Sequence, residues 1–292
     1  MRPRIASDWW PVAANPDLGP IGSPRQQPVD FAVWQARDGT WQLWSCIRQT
    51  ACGGNTRLFY RWEGADLRQE HWTPRGVAMT ARPDLGEMEG GLQAPHVICE
   101  DGVYYMFCGD WNRICLARSE DGKTFERVLG ENGQPDLFAG PYENTRDPMV
   151  LKIGGLYHCY YTGHRKGAVP QSAVFCRTSR NLRDWSVPVN VCSGGAASRQ
   201  TQWFGGDCEC PFVVARNGGY CLFRNQRYGA DPLNTQYCSP DPLDFGVNDD
   251  RWRVGELPVA AAEIVEDRGR HFIAALQTDL KGIRIAELEW GD

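Results

Sequence analysis

The stretch that decides the fold runs from Asp147 to Tyr161 and reads DPMVLKIGGLYHCYY. It begins with an extended apolar segment, turns at Gly154-Gly155 and returns through an aromatic-rich segment. Two neighbouring glycines supply the positive φ angles that a two-residue hairpin turn requires. Because β-branched and aromatic side chains favour strands, the stretch predicts a β-hairpin.

The same unit occurs five times along the chain. The other four copies are Asp30–Trp34 with Asp38-Gly39 and Trp41–Trp44, His96–Ile98 with Asp101-Gly102 and Tyr104–Phe107, Pro211–Val214 with Gly218-Gly219 and Tyr220–Phe223, and Glu263–Val265 with Gly269 and Phe272-Ile273. A third strand follows each hairpin, at Leu58–Arg61, Cys115–Ser119, Val174–Ser179, Gln236–Ser239 and Ile283–Ala286. Counted from Asp30, His96, Asp147, Glu209 and Glu263, the copies start 51 to 66 residues apart, which is typical of four-stranded blades.

These repeats predict an all-β fold, a single five-bladed β-propeller with four-stranded blades that spans residues 1–292 as one domain. Three blades end alike, because Phe125, Trp185 and Phe245 each follow a polar turn, as expected of an outer strand. A β-sandwich explains the strands but not their fixed period.

Composition narrows the class of protein. The 292 residues are 42% hydrophobic and include 12 tryptophans, enough apolar material for a large core. Lysine and arginine total 31 against 36 acidic residues, a net charge of -5 without a basic stripe, which argues against a nucleic-acid partner. No run reaches the roughly 18 apolar residues of a membrane span, so no membrane partner is expected. The oligomeric state is left open.

The first residues bear on location. Met1-Arg2-Pro3-Arg4 leads into Asp8-Trp9-Trp10 rather than into the apolar core of a signal peptide. This favours a cytoplasmic protein, whereas a secreted or periplasmic one stays open if a leader has been removed.

The 12 cysteines suggest packing rather than metal binding. Most lie in predicted strands, as do Cys108, Cys159, Cys176 and Cys221, where a thiol behaves as a small apolar side chain, so buried free thiols are expected. Cys208-Glu209-Cys210 lacks the two-residue spacer of a zinc knuckle, and no metal ligands are predicted.

Acidic residues recur where the innermost strands begin. In a propeller these strands line the axis, so their first residues crowd around one mouth of the channel. At that register the repeats offer Asp30, Gln93, His96, Arg146, Asp147, Asp207, Glu209 and Glu263. A lone aspartate before proline is often only a turn former. Carboxylates in three blades at one point favour acid–base chemistry, because repulsion and desolvation raise one pKa while hydrogen bonds or Arg146 lower another.

Loops after the second strands should return to the same face and frame a substrate. They carry Arg48, Asp110-Trp111-Asn112, His164-Arg165 and Arg224-Asn225-Gln226. Each residue alone fits a solvated loop equally well, but the set combines planar donors with aromatic surface, which suits hydroxyl-rich rings. The predicted substrate-binding residues are His96, Trp111, Arg146, His164, Arg165, Arg224 and Asn225.

The chain resembles the five-bladed β-propeller glycoside hydrolases, which include families 32, 43, 62, 68 and 117. Arg146-Asp147-Pro148 looks like the Arg-Asp-Pro motif of family 32, and Glu209-Cys210-Pro211 looks like its Glu-Cys motif. The resemblance implies that Asp147 stabilises the transition state or tunes a pKa and that Glu209 is the general acid. Asp30 takes the place of the first-blade aspartate, which is the nucleophile in family 32 and the general base in family 43.

The sequence departs from family 32 in two respects. Val29-Asp30-Phe31-Ala32 replaces the Asn-Asp-Pro-Asn-Gly pattern, and no length remains for a C-terminal β-sandwich. A compact propeller with Ala94-Pro95-His96 opening the second blade looks more like family 43 or 117.

These residues predict a catalytic domain: a glycosidase (an O-glycosyl hydrolase) that removes a non-reducing terminal sugar of the furanoside, pentoside or anhydro-sugar type from plant or algal oligosaccharides. Asp30, Asp147 and Glu209 are the predicted catalytic residues, and inversion is favoured over retention. Two alternatives stay open, a non-catalytic carbohydrate-binding propeller and a transglycosidase or phosphorylase in which Arg146, Arg165 and Arg224 clamp an anion.

Two further expectations concern the channel. The imidazole of His96 should point into the mouth, where a carboxylate would keep it protonated as a binding donor. No cofactor is required, although a propeller axis can hold a structural calcium ion.

Overall fold

The computed structural model describes residues 2–167, 171–201 and 206–291. In chain order the strands are β1 Arg2–Ile5, β2 Trp10–Ala14, β3 Gln27–Gln35, β4 Trp41–Arg48, β5 Leu58–Gly64, β6 Thr73–Met79, β7 Gln93–Glu100, β8 Val103–Gly109, β9 Arg113–Ser119, β10 Glu126–Arg127, β11 Asp136–Ala139, β12 Asn144–Ile153, β13 Leu156–Arg165, β14 Gln171–Ser179, β15 Val189–Cys192, β16 Glu209–Arg216, β17 Gly219–Arg227, β18 Leu233–Ser239, β19 Arg253–Leu257, β20 Glu263–Asp267, β21 Arg270–Leu276 and β22 Gly282–Gly291. Short 3-10 turns occupy Gly19–Ile21, Pro83–Leu85 and Ala197–Arg199.

The strands form five antiparallel sheets, which confirms the predicted five-bladed propeller. Blade one is β3–β6, blade two β7–β11, blade three β12–β15, blade four β16–β19, and blade five β20–β22 with β1 and β2. The innermost strands contact one another in the order β3, β7, β12, β16 and β20, and β20 contacts β3. The blades therefore close into a ring around a central channel.

The ring closes by joining the two ends of the chain in one blade. Strand β22 pairs along its outer edge with β2 near residue 283 and with β1 near residue 290. No helix in the described ranges is long and apolar enough to cross a membrane.

The hairpin turns of blades two and three adopt the geometry that the glycines predict. In blade two, Asp101 and Gly102 have φ angles of 50° and 76°, and in blade three Gly154 and Gly155 have 55° and 80°. Positive φ at both central residues defines the type I′ turn, whose twist matches that of the flanking strands. In blade four the turn is Asn217-Gly218, one residue earlier than predicted, and Gly219 begins β17.

The aromatic residues at the blade exits act between blades. Phe125 packs 5.3 Å from Trp44 of blade one, Trp185 lies 6.2 Å from Phe107 of blade two, and Phe245 lies 6.2 Å from Tyr160 of blade three. These three side chains precede the outer strands instead of lying in them, which corrects the prediction. Each one seals a blade against its predecessor with an edge-to-face contact.

One of the predicted free thiols is paired. Cys221 of β17 and Cys238 of β18 are directly opposed across the sheet and form a disulfide. The expectation of a free thiol at Cys221 is therefore wrong, because a cross-strand neighbour completes the bond. Cys108, Cys159 and Cys176 are buried free thiols, as predicted.

Candidate active site

A bulge recurs at the same point of the innermost strands of blades one to four. Strand pairing is interrupted at Asp30, Ala94-Pro95, Asp147-Pro148 and Cys210-Pro211. The bulged residues have positive φ angles, from 34° at Asp30 to 54° at Asp147, and Ala261 occupies the matching place in blade five with 50°. Bulges re-aim side chains, and backbone in this sparsely populated region tends to cluster at functional sites.

The bulges sort the side chains of the axis into three layers. The residues before them, Val29, Gln93, Arg146 and Glu209, line a cavity of about 660 Å³ at one mouth. The bulged residues Asp30, Ala94, Asp147, Cys210 and Ala261 line a much narrower cavity of about 10 Å³ beneath it. Two residues further on, Ala32, His96, Phe212 and Glu263 line a cavity at the opposite end, and Glu263 also lines the narrow one. The mouth cavity is therefore a pocket with a nearly closed floor.

The structure brings the three predicted catalytic residues together across the first two layers. Glu209 lies in the mouth layer, and Asp147 lies in the layer beneath. Asp30 lines both cavities and so joins the two layers.

Two neighbouring side chains, Arg146 and His164, stabilise the ionised form of Glu209. The guanidinium of Arg146 hydrogen-bonds to its Oε1, and Nε2 of His164 lies 3.0 Å from the same atom. The hydroxyl of Tyr228 donates to Oε2 at 3.4 Å. Although burial opposes ionisation, Arg146 and His164 lower the pKa of Glu209 to about 2.

Asp147 has the opposite environment. Its Oδ2 accepts a hydrogen bond from the backbone N–H of Cys210 at 3.1 Å, while its buried Oδ1 has no hydrogen-bond partner among the described residues. Nε of Arg146 lies 3.7 Å from Oδ2 of Asp147, whereas Nη2 of the same guanidinium makes the closer ion pair with Glu209. Burial raises the pKa of Asp147 to about 7. A carboxyl pair whose pKa values are pushed apart is what acid–base catalysis uses.

Asp30 is hydrogen-bonded by a cysteine thiol. Its Oδ1 accepts a hydrogen bond from the thiol of Cys210, with an S–O distance of 3.1 Å. Burial raises the pKa of Asp30, and the thiol, Arg48 and Arg57 oppose that rise.

Four further predicted binding residues lie at the pocket as expected. Trp111, Arg146, His164 and Arg165 all line the mouth cavity. Trp111 has a φ of 87°, and the guanidinium of Arg57 stacks over its indole at 4.6 Å. Arg165 stacks over Tyr142 at 4.5 Å.

The prediction for His96 is wrong. Its ring lines the cavity at the opposite end, where Nε2 lies 3.2 Å from the carbonyl oxygen of Val150 and the ring packs against Phe212. Burial lowers the pKa of His96 to about 4, so the ring is neutral instead of protonated. The predicted register of β7 is wrong by two residues, since the bulged residue Ala94, and not His96, matches Asp30.

The predictions for Arg224 and Asn225 are also wrong. Arg224 is fully buried and donates from Nε to the carbonyl of Asp207 at 2.6 Å and from Nη2 to the carboxylate of Asp207 at 2.9 Å. Asn225 is fully buried and accepts a hydrogen bond from the backbone of Ala261 at 3.2 Å. Neither lines the mouth cavity, because β17 turns both side chains into the protein.

Several pocket residues were missed by sequence reasoning. They are Arg57, Asn144, Lys166, Gln171 and Tyr228. They lie in connections or at strand ends that carry no repeat. The bulge register did leave a signal, since Pro95, Pro148 and Pro211 align in three blades.

The calcium expectation can be compared with the donors present. Asp30, Asp147 and Cys210 place one ligand atom each within 4.8 Å of one another. Calcium takes six to eight oxygen ligands, and a thiol is a soft ligand that it does not favour. This cluster does not fit calcium, and an ion elsewhere in the channel stays a prediction.

The architecture is that of the five-bladed β-propeller glycoside hydrolases, and comparison with solved structures confirms that resemblance at the level of the fold. A thermostable family-43 glycoside hydrolase superposes with a TM-score of 0.70 at 18% identity, covering 94% of this chain and 93% of that one. An endo-arabinase from Bacteroides thetaiotaomicron gives a TM-score of 0.70 at 12% identity, covering 94% and 99%.

A third similar structure widens the range of chemistry found on this fold. It comes from work on the family-130 mannoside phosphorylases, which contain glycoside hydrolases that target β-1,2-mannosidic linkages in Candida mannan. Its TM-score is 0.62 at 16% identity, covering 97% of this chain and 96% of that one. No family model matches the sequence, and no curated protein matches it.

Proposed function

We propose that this protein is a glycoside hydrolase that removes a terminal sugar from an oligosaccharide. The observation that carries the proposal is the pair of carboxylates, Asp30 and Glu209, that face one pocket with a third acid, Asp147, directly beneath. Glycosidases use two carboxyl groups that flank the scissile bond. The glycoside hydrolases and the arabinase among the similar folds favour the same kind of reaction.

The proton for the leaving group is the first requirement of this chemistry. Arg146 and His164 keep Glu209 ionised without substrate, and Nε2 of His164 lies 3.0 Å from Oε1 of Glu209, so in this proposal the proton is carried on Nε2. Both residues line the pocket. The pair therefore holds one proton next to the substrate, and in this proposal the leaving oxygen takes it from the Glu209 side.

Asp30 has the complementary role. As a carboxylate, Asp30 accepts the proton of the attacking water, or it attacks the anomeric carbon directly. Asp147, in the layer beneath, tunes a pKa in the site. The product anomer distinguishes these routes, because direct attack gives retention and water attack gives inversion. We expect inversion, measurable by proton NMR of the first product formed.

The nearly closed floor supports action on chain ends. The cavity beneath the pocket, about 10 Å³, has room for about one water molecule and none for a sugar ring. A ligand must therefore enter and leave by the same mouth. This favours exo-action on a terminal unit, for which furanosides, pentosides and anhydro-sugars are the first candidates.

The test is a product-detecting screen over plant and algal oligosaccharides and aryl glycosides, followed by Glu209→Gln. The variant should lose about 100-fold to 10,000-fold in kcat/KM on substrates with alkyl leaving groups and far less on activated aryl glycosides, because an activated leaving group needs little protonation. Glu266→Gln, at the opposite end of the channel, is the matched control. No turnover by the wild-type chain, with saccharide binding intact, would establish a non-catalytic propeller instead.

A further inference from the structure

The mouth pocket carries more positive charge than its acids can neutralise. Among the described residues, its lining has Arg48, Arg57, Arg146, Arg165 and Lys166 as cations and Asp30 and Glu209 as carboxylates. The whole chain has a net charge of -5, so the pocket is opposite in sign to the rest of the protein. A concave site of one charge concentrates ligands of the other charge.

Most of these cations are not neutralised by a carboxylate of the described residues. Arg146 pairs with Glu209 and lies near Asp147. Within the described ranges, the other four form no ion pair with a carboxylate. Cations that serve only stability are usually paired when they are partly buried.

Arg48 is fixed in place by a neutral side chain. Its Nε and Nη2 both donate to Oε1 of Gln27, at 3.0 and 2.7 Å. The contact orients the guanidinium at the end of β4 without neutralising its charge. Because the side chain is already held, little conformational entropy is lost when a ligand binds to its other edge.

Arg57 is fixed by an aromatic ring. Its guanidinium stacks over Trp111 at 4.6 Å, and Nη1 donates to the carbonyl of Asn55 at 3.2 Å. Its buried Nε has no hydrogen-bond acceptor among the described residues. An unsatisfied buried donor is costly, and a ligand oxygen would remove that cost.

Neither arginine acts mainly as the counter-ion of Asp30. The hydrogen-bond donor to Asp30 is the thiol of Cys210. Arg48 and Arg57 act on that carboxylate only through longer-range attraction, which does not offset its burial. Nη1 of Arg48 and Nε of Arg57 make none of these hydrogen bonds, and both side chains line the pocket.

We propose that Arg48 and Arg57 form an oxyanion subsite of the mouth pocket, so that the ligand presents a carboxylate, sulfate or phosphate group there. This inference rests on the proposed function for the identity of the site but not for the binding itself. The oxyanion has two sources, an acidic substituent on the sugar or inorganic phosphate that replaces water. Planar guanidinium groups bind such oxyanions through paired N–H donors.

The two sources imply different group transfers. With an acidic sugar, the glycosidic C–O bond breaks, the leaving oxygen takes the proton held by Glu209 and His164, and water bonds to the anomeric carbon and gives its proton to Asp30. With phosphate, the same glycosidic bond breaks and the leaving oxygen takes the same proton, while a phosphate oxygen forms the new bond to the anomeric carbon, so the product is a sugar phosphate. No oxidant or reductant is needed in either case.

Binding is tested without relying on turnover. We would titrate the full chain by calorimetry at low salt with inorganic phosphate, and with galacturonate and glucuronate against galactose and glucose. At least one anionic probe should bind about ten-fold or more tightly than its neutral counterpart, and Arg48→Gln or Arg57→Gln should remove that preference. Arg118→Gln, which alters an exposed arginine on the outer part of blade two, is the control.

Further variants and a product assay keep the outcomes distinct. Arg48→Lys preserves charge but not paired donation, and it should retain part of the preference, while circular dichroism verifies that every variant folds. Formation of a sugar phosphate identifies phosphate as the source, and hydrolysis at a rate independent of phosphate identifies the acidic sugar. Anion binding without any turnover would leave the subsite standing and overturn the proposed function.

Two results would overturn the subsite itself. One is equal binding of all charged and neutral probes by the wild-type chain. The other is efficient hydrolysis of a neutral glycoside with kcat/KM unchanged in both Arg48→Gln and Arg57→Gln.

Discussion

Replacing Arg224 by Met tests whether this arginine belongs to the fold or to the site. Arg224 is fully buried. Its guanidinium donates to the carbonyl and the carboxylate of Asp207, to the hydroxyl of Ser198 at 2.9 Å and to the carbonyl of Gly194 at 3.1 Å. Methionine keeps the length and removes the charge. Among the described residues, Asp207 then keeps as donors the hydroxyls of Ser172 and Ser198 and the thiol of Cys208 at 3.9 Å.

The expected cost follows from the charge left behind. Breaking a buried ion pair by removing one partner destabilises a protein by about 3–5 kcal/mol. With a urea m-value of about 3 kcal/mol per molar, the midpoint of unfolding should fall by roughly 1–1.7 M. Adding Asp207→Asn to Arg224→Met removes the orphaned charge, so the double variant should cost about 2 kcal/mol less than the sum of the two single variants.

The assay is urea unfolding followed by tryptophan fluorescence, with KM measured on the same samples. Arg165→Met is the control for stability alone, because that side chain lines the pocket but is exposed and stacks over Tyr142, and its effect on stability should stay within about 0.5 kcal/mol. A loss of less than about 1 kcal/mol in Arg224→Met, together with a raised KM, would refute the structural role and restore the binding role.

Three other perturbations follow from the layers of the axis. His96→Ala should cost roughly 2–4 kcal/mol of stability by leaving a cavity against Phe212 and should leave KM unchanged; a raised KM at full stability in kinetic and unfolding assays would contradict this. Asp147→Asn should stabilise the chain at pH 8 but not below pH 4. Burial raises the pKa of Asp147 from 3.8 to about 7, so the wild-type folded state loses stability as pH rises through that interval. Thermal unfolding of both proteins at a series of pH values measures the difference. Cys210→Ala should move the acid limb of the pH–rate profile to higher pH, because the thiol hydrogen bond lowers the pKa of Asp30, and an unmoved limb would show that Asp30 is not the base.

The sequence predicted the fold well because hairpins are local. Gly154-Gly155 and Asp101-Gly102 encode their turns in two residues, and the flanking strands alternate within a few residues of them. Five such units at a regular spacing leave few architectures that bury every sheet. The three acids could be found for the same reason, since each lies near the start of a recognisable strand.

The position of each side chain along the channel axis could not be predicted from the sequence. A bulge adds one residue to a strand and shifts every later side chain, so His96 and Asp30, which look equivalent in sequence, face opposite ends of the channel. The prolines at 95, 148 and 211 mark that register, and only the pairing of β3, β7, β12 and β16 shows that they follow bulged residues.

Long-range pairing decided the remaining features. Arg224 meets Asp207, Arg57 meets Trp111, and Cys221 meets Cys238 only once neighbouring strands or blades are in place. Such contacts depend on the distance between side chains in space, which a linear pattern does not specify. The sequence by itself therefore determined the propeller and the identity of its acids, whereas the tertiary structure decided which charges face the pocket, because burial and pairing are properties of the closed ring.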